Sequence, residues 1–184
     1  MEKIYLPKTW ESEYNQDDDS ANIKIEDSDK MEQTFAVMQW NINEVVISVL
    51  GLERKAKQIV LSSFECKERE LFSLVILESD FFSFSSMIKT LKQIQVHKKI
   101  FDTKAWKSLE ENLKRVMRYR NLLVHGQQKA FKRGEEILIR VSYFEGEPKT
   151  MEFDKSRWEK VEKAIRDSNI ALGRFNSIVF SFGK

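Results

Sequence analysis

The sequence predicts a mainly α protein, an up-and-down bundle of four to five helices with a β-hairpin inserted before the last helix. Three observations carry that expectation. Apolar residues recur at three-and-four spacing over several long stretches, the signature of helices that bury one face. Gly (6) and Pro (2) are scarce in 184 residues, which disfavours a turn-rich sandwich or barrel. One short run, Ile137, Ile139, Val141 and Tyr143, alternates with polar residues and is the single clear period-two segment.

Residues 1–30 read as a poorly ordered acidic arm, with Asp17-Asp18-Asp19 and Glu26-Asp27-Ser28-Asp29 and little to bury. Tyr5, Leu6 and Trp10 are its candidate docking residues. The body spans 31–184. A long helix is expected from about Ser28 to Ser62, capped by Asp27–Asp29, with Phe35, Met38, Ile42, Val45, Val46, Val49, Ala56 and Val60 inward. Glu53 falls within this apolar stripe. Leu71 to Leu77 reads as a buried segment, helical by preference, before a break at Ser79-Asp80. Phe82 to Val96 forms the next helix, with Phe84, Met87, Ile88, Leu91 and Ile94 inward and Lys89 and Lys92 outward. His97-Lys98-Lys99 closes it, since cations suit a helix C-terminus.

Asp102 or Thr103 caps a further helix that ends at Gly126, a residue suited to the left-handed position after a helix. Gln127 to Gly134 reads as a polar loop and about 136–153 as the hairpin, turning at Glu145-Gly146-Glu147-Pro148. Ser156-x-x-Glu159 is a capping-box pattern opening the last helix, about 155–182. Its seam of Val161, Ile165, Ser168, Leu172, Phe175, Val179 and Phe182 either covers the bundle or forms a dimer contact.

One cysteine, Cys66, excludes an internal disulfide and a cysteine-based zinc site, and two histidines are too few for a histidine-rich metal cluster. No metal or cofactor is expected. No Gly-rich phosphate loop and no Gly-x-Ser-x-Gly elbow occurs. No leader pattern opens the chain and no apolar run is expected to span a membrane, so a cytoplasmic location is the default.

Net charge is +2, but its distribution is uneven. Met1 to Gln33 holds ten acids against four bases, whereas Lys89 to Arg133 holds thirteen bases against three acids. That basic excess surrounds Arg120-Asn121-Leu122-Leu123-Val124-His125-Gly126, and a phosphate backbone favours such a field. On a helical wheel Leu109, Leu113, Val116, Met117, Leu123 and Val124 form one apolar stripe, and Arg120 falls within it. A guanidinium buried without a partner costs several kcal/mol, so Arg120 must meet a carboxylate or an opening. Glu53 is the first candidate partner and Glu44 the second. Asn121 and His125 lie four apart, about 100–140° round the helix from Arg120.

This stretch, late in a helical bundle, resembles the signature of the HEPN superfamily (higher eukaryotes and prokaryotes nucleotide-binding). Its ribonuclease members carry an Arg, four to six residues and a His, often with a polar residue after the Arg. The resemblance implies a metal-independent endoribonuclease acting as a homodimer. Its chemistry suits the residues: histidine is the side chain fitted to proton transfer near neutrality, and the planar fork of arginine holds two phosphate oxygens. Arg120, Asn121 and His125 are thus the candidate catalytic residues. Lys114, Arg115, Arg118, Lys129, Lys132 and Arg133 are the candidate RNA contacts. His97 reads as a residue complementing the helix dipole rather than a catalytic one.

The family context adds an antitoxin or other regulatory protein as a partner, in stress response or phage defence. Some toxin members have a Tyr two residues after the His that a nucleotidyltransferase antitoxin modifies; Gln127 stands there instead. Two rival readings use the same residues: a non-catalytic HEPN-like module binding RNA, nucleotide or protein, and a structural helical adaptor.

Overall fold

The computed structural model describes residues 25–64, 68–79, 82–133 and 136–182. The arm expected over 1–30 lies outside the described residues up to residue 24, as does Cys66. The fold is mainly α, with a small antiparallel sheet before the last helix. Helix α1 (Ile25–Ser63) is followed by the single turn α2 (Arg69–Phe72) and a π-helical turn (Ser73–Leu77). Next come α3 (Phe84–Lys98), α4 (Thr103–His125), strands β1 (Gln127–Arg133), β2 (Glu136–Phe144) and β3 (Pro148–Phe153), and α5 (Lys155–Phe182). Helix α1 packs along α5, α3 and α4, and α4 packs on α5 and α3.

The stripes foreseen for α1 and α3 are the ones buried, except that Val46 is half-buried, and Leu52 and Ile59 of α1 are added to the core. Helix α1 already runs at Ile25, so Asp27–Asp29 lie within it rather than capping it. The segment Phe35–Ser63 is also long and apolar enough to cross a membrane by length and composition, contrary to the expectation that no run would be. In this fold that segment supplies nine core residues, from Phe35 to Val60. Ser83 and Asp102 cap α3 and α4 by accepting hydrogen bonds from Ser86 N and Ala105 N. The capping box at Ser156 is not used. Asp154 takes that role, its Oδ1 accepting from Arg157 N at 2.7 Å.

The largest departure is at residues 71–77. The segment is helical as expected, one α turn passing into one π turn, but it is not buried: only Leu77 is. Leu71, Leu74, Val75 and Ile76 stand exposed, Leu74 by 68%. Apolar content was there without the period that would have aimed it inward.

The polar stretch expected as a loop is β1, which pairs antiparallel with β2 from Gln127↔Ser142 to Arg133↔Glu136. Its backbone ladder carries it, and Gln127, Lys129 and Arg133 are exposed along it. Strand β3 completes the order β1-β2-β3, and the β2–β3 turn places Gly146 at φ 75°, where a side chain would be strained. Ile139, Val141 and Phe153 join the helical core, and Tyr119 meets Phe153 edge-on at 6.4 Å between ring centres. In α5, Val161, Ala164, Ser168, Leu172, Phe175 and Val179 are buried against the bundle, so this seam covers the core within one chain. Ser168 Oγ is buried with no hydrogen-bond partner among the described residues.

Candidate functional site at the end of helix α4

Two faces of α4 diverge at its C-terminal end. The dry face buries Trp106, Leu109, Leu113, Val116, Tyr119, Leu122 and Leu123. Trp106, Tyr119 and Leu122 extend the stripe the sequence predicts, whereas Val124, expected inside, is exposed. Arg120 is half-buried beside this face, where α4 meets α1. The Glu53 carboxyl feels the Arg120 guanidinium and the Lys57 ammonium, yet burial outweighs both and raises it above its ordinary value of 4.5. Glu53 is therefore within electrostatic reach of Arg120, although no salt bridge joins the two. Glu44 is exposed on α1. The Arg120 guanidinium donates instead to Oδ1 of Asn121 at 3.1 Å.

The other face opens into a cleft of about 960 Å³ between α3, α4 and the β2–β3 turn. Lys114, Arg118, Asn121 and His125 line it from α4, Lys89 and Lys92 from α3, and Tyr143, Phe144 and Glu145 from the sheet. Four permanent cations thus face two acids, Glu110 and Glu145, in one concavity. Glu110 accepts from Lys114 at 2.6 Å and lies 3.6 Å from Lys92. The hydrogen bond from Lys114 is the main reason its carboxyl is held below the usual range. Arg118 meets Glu145 at 2.7 Å, and Lys149 lies 3.6 Å from the same carboxylate, which pins the turn to the cleft wall.

The sheet reaches the helix end because residue 126 has no side chain. Gly126 is extended (φ −79°, ψ 148°), not left-handed as the sequence led us to expect. A Cβ there would lie 2.4 Å from Val141 Cγ1 and 2.5 Å from the Leu122 carbonyl oxygen. Glycine is needed for close approach, and that approach sets the cleft wall. Gln128 completes the junction, donating to the Leu123 carbonyl at 2.8 Å and accepting from Gln39 of α1 at 3.2 Å.

The structure therefore brings Asn121, His125, Lys114 and Arg118 to one opening and sets Arg120 beside it, linked through Asn121. Arg115 is exposed on α4 outside the cleft, and Lys129 is exposed on β1. Arg133 pairs with Glu152, which Arg140 also meets at 3.1 Å. The Lys132 side chain lies outside the described residues. Lys89, Lys92, Tyr143 and Phe144 enter the site from elements distant in sequence. The outward placement of the two lysines was readable, but not which helix they would face. Among the described residues no group of three His, Cys, Asp or Glu side chains is arranged to hold a metal ion. No protein-family model, curated protein or solved structure matches this chain.

Proposed function

We propose that the protein is a metal-independent endoribonuclease of HEPN type. The observation that carries this reading is that His125 and Asn121 together line one cleft with four permanent cations. Cleavage begins when a base takes the ribose 2′-OH proton and the oxygen attacks phosphorus. The 5′ oxygen then leaves with a proton from an acid, giving a 2′,3′-cyclic phosphate and a 5′-OH. His125 moves a proton at one of these steps. Arg120 and Asn121, joined by their hydrogen bond, orient the phosphate and counter the charge that builds on it. One such imidazole per chain serves one of two proton transfers. The second comes from another copy in a homodimer that places the two motifs at one phosphate. A regulatory partner such as an antitoxin, and a role in stress or phage defence, belong to the same proposal.

The test is cleavage of single-stranded RNA by purified protein in EDTA. His125→Ala and Arg120→Ala should each reduce the rate by at least about 10²-fold, the usual worth of a positioned acid–base group or of a charge on the transition state. Full activity in both variants would remove the motif from the mechanism. The proximity of Arg120 to Glu53 favours one other reading, a non-catalytic RNA-binding module in which this arginine is structural. Salt-dependent RNA binding without cleavage by the wild-type protein would select that reading.

A further inference from the structure

We infer that the cleft takes an unpaired nucleic-acid strand, its phosphates following the cations of α3 and α4 and a base stacking on Phe144. The inference rests on the nucleic-acid part of the function proposed above and adds the form of the ligand and the residue that reads it. Phe144 is 76% exposed, the most exposed large apolar side chain described, and it lines the cleft rather than an open flank. It is also held in place. It ends β2 opposite Pro148, directly before a turn fixed by Gly146 in the left-handed region and by Glu145 between Arg118 and Lys149. Half-buried Tyr143 lines the same wall.

Across from the rings, Lys114, Arg118, Asn121 and His125 follow one line of α4 at spacings of four, three and four. At 1.5 Å per residue this line is about 16 Å long, enough for several phosphates rather than one. Lys89 and Lys92 border it from α3. Cations along a groove with an aromatic face at its rim are what a single strand requires. Its bases are free to stack, whereas a duplex has already stacked them on one another. A small inorganic anion would use the charge and leave the exposed ring unused.

The experiment uses an eight-nucleotide 2′-O-methyl RNA, which lacks the attacking hydroxyl, with 2-aminopurine at an internal position. Wild-type protein should bind it with affinity that falls as salt rises, and the 2-aminopurine fluorescence should be quenched. The same strand in a duplex should bind at least about tenfold more weakly, because a stacked base is worth roughly that factor or more. Phe144→Ala should weaken single-strand binding by about tenfold and abolish the quenching, while Phe144→Trp retains both. A DNA strand of the same sequence should behave like the 2′-O-methyl strand, since neither stacking nor phosphate contact reads the sugar. Equal binding of duplex and single strand, or an unchanged Phe144→Ala, would overturn the inference. Cleavage of RNA by wild type alongside that overturning result leaves the nuclease proposal standing. The expected binding pattern without any cleavage does the reverse. Because Phe144 is exposed, the alanine variant keeps the core, and an unchanged circular-dichroism melt verifies it.

Discussion

The two sides of helix α4 show how seven contiguous residues come to serve two environments. Toward α1 the chain is dry and shared with a carboxylate, and Arg120 lies at its margin facing Glu53. Toward α3 and the sheet it is open and lined by cations, and Asn121 and His125 face that opening. At 3.6 residues per turn, Arg120 and its neighbours cannot all point one way. The Arg120–Asn121 hydrogen bond is the described link across the divide. A motif continuous in sequence is therefore not a site until the packing of α3 and the sheet supplies its walls.

The sharpest way to break this division is at Gly126. Gly126→Ala places a methyl against Val141 and the Leu122 carbonyl, and one of those neighbours is backbone that cannot rotate away. The expected loss is about 3 kcal/mol, the upper end of overpacking costs, read from denaturant unfolding. The displaced element is the sheet, so RNA binding should fall by more than the stability loss explains, while the packing of α1 on α5 stays intact. Stability within about 0.5 kcal/mol of wild type would show that the close approach is not what holds the sheet on the helix.

A smaller effect is expected at the α3–α4 corner. Gln95 is buried, donates to the Phe101 carbonyl at 2.7 Å and accepts from Phe101 N at 2.9 Å. It thereby fixes the turn that sets α3, with Lys89 and Lys92, against α4. Gln95→Ala removes both bonds and should cost about 2 kcal/mol. Amide hydrogen exchange at Phe101 should accelerate first, since that N–H loses its acceptor; unchanged protection there would contradict this role.

How much of this was legible follows from the physics of each part. Helices α1, α3, α4 and α5 announce themselves because burying one face imposes a period that the chain displays locally. Strand β1 does not, since an edge strand rich in Gln, Lys and Arg is held by backbone bonds that leave no side-chain pattern. Residues 71–77 misled in the opposite sense, because apolar composition without periodicity does not say whether a segment is covered. At the site, His125 and Asn121 were readable from their spacing on one helix. Phe144, Lys89 and Lys92 were not, because only the packing of α3 on α4 and the sheet register bring them to the cleft. Gly126 was singled out for the wrong reason: helix ends favour glycine for its left-handed freedom, and here the need is space.

The subtlest test lies on the dry side. Burial raises the Glu53 carboxyl above 4.5, with Arg120 and Lys57 offsetting only part of that cost. In the unfolded chain the same group titrates near its ordinary value, so between the two values the folded protein holds more proton. Its contribution to stability is therefore most favourable below about 4.5 and declines as pH rises through the raised value. Glu53→Gln removes this titration while keeping the side chain's shape. The difference in unfolding free energy between variant and wild type should move in favour of the variant as pH rises from 4 toward 7. Taking the difference cancels Glu110 and Glu152, whose lowered carboxyls weaken the fold on acidification in both proteins. The opposite slope would mean that attraction to Arg120 exceeds the burial cost, making the arginine a structural ion-pair partner and moving the comparison between the two sides of α4 toward the non-catalytic reading.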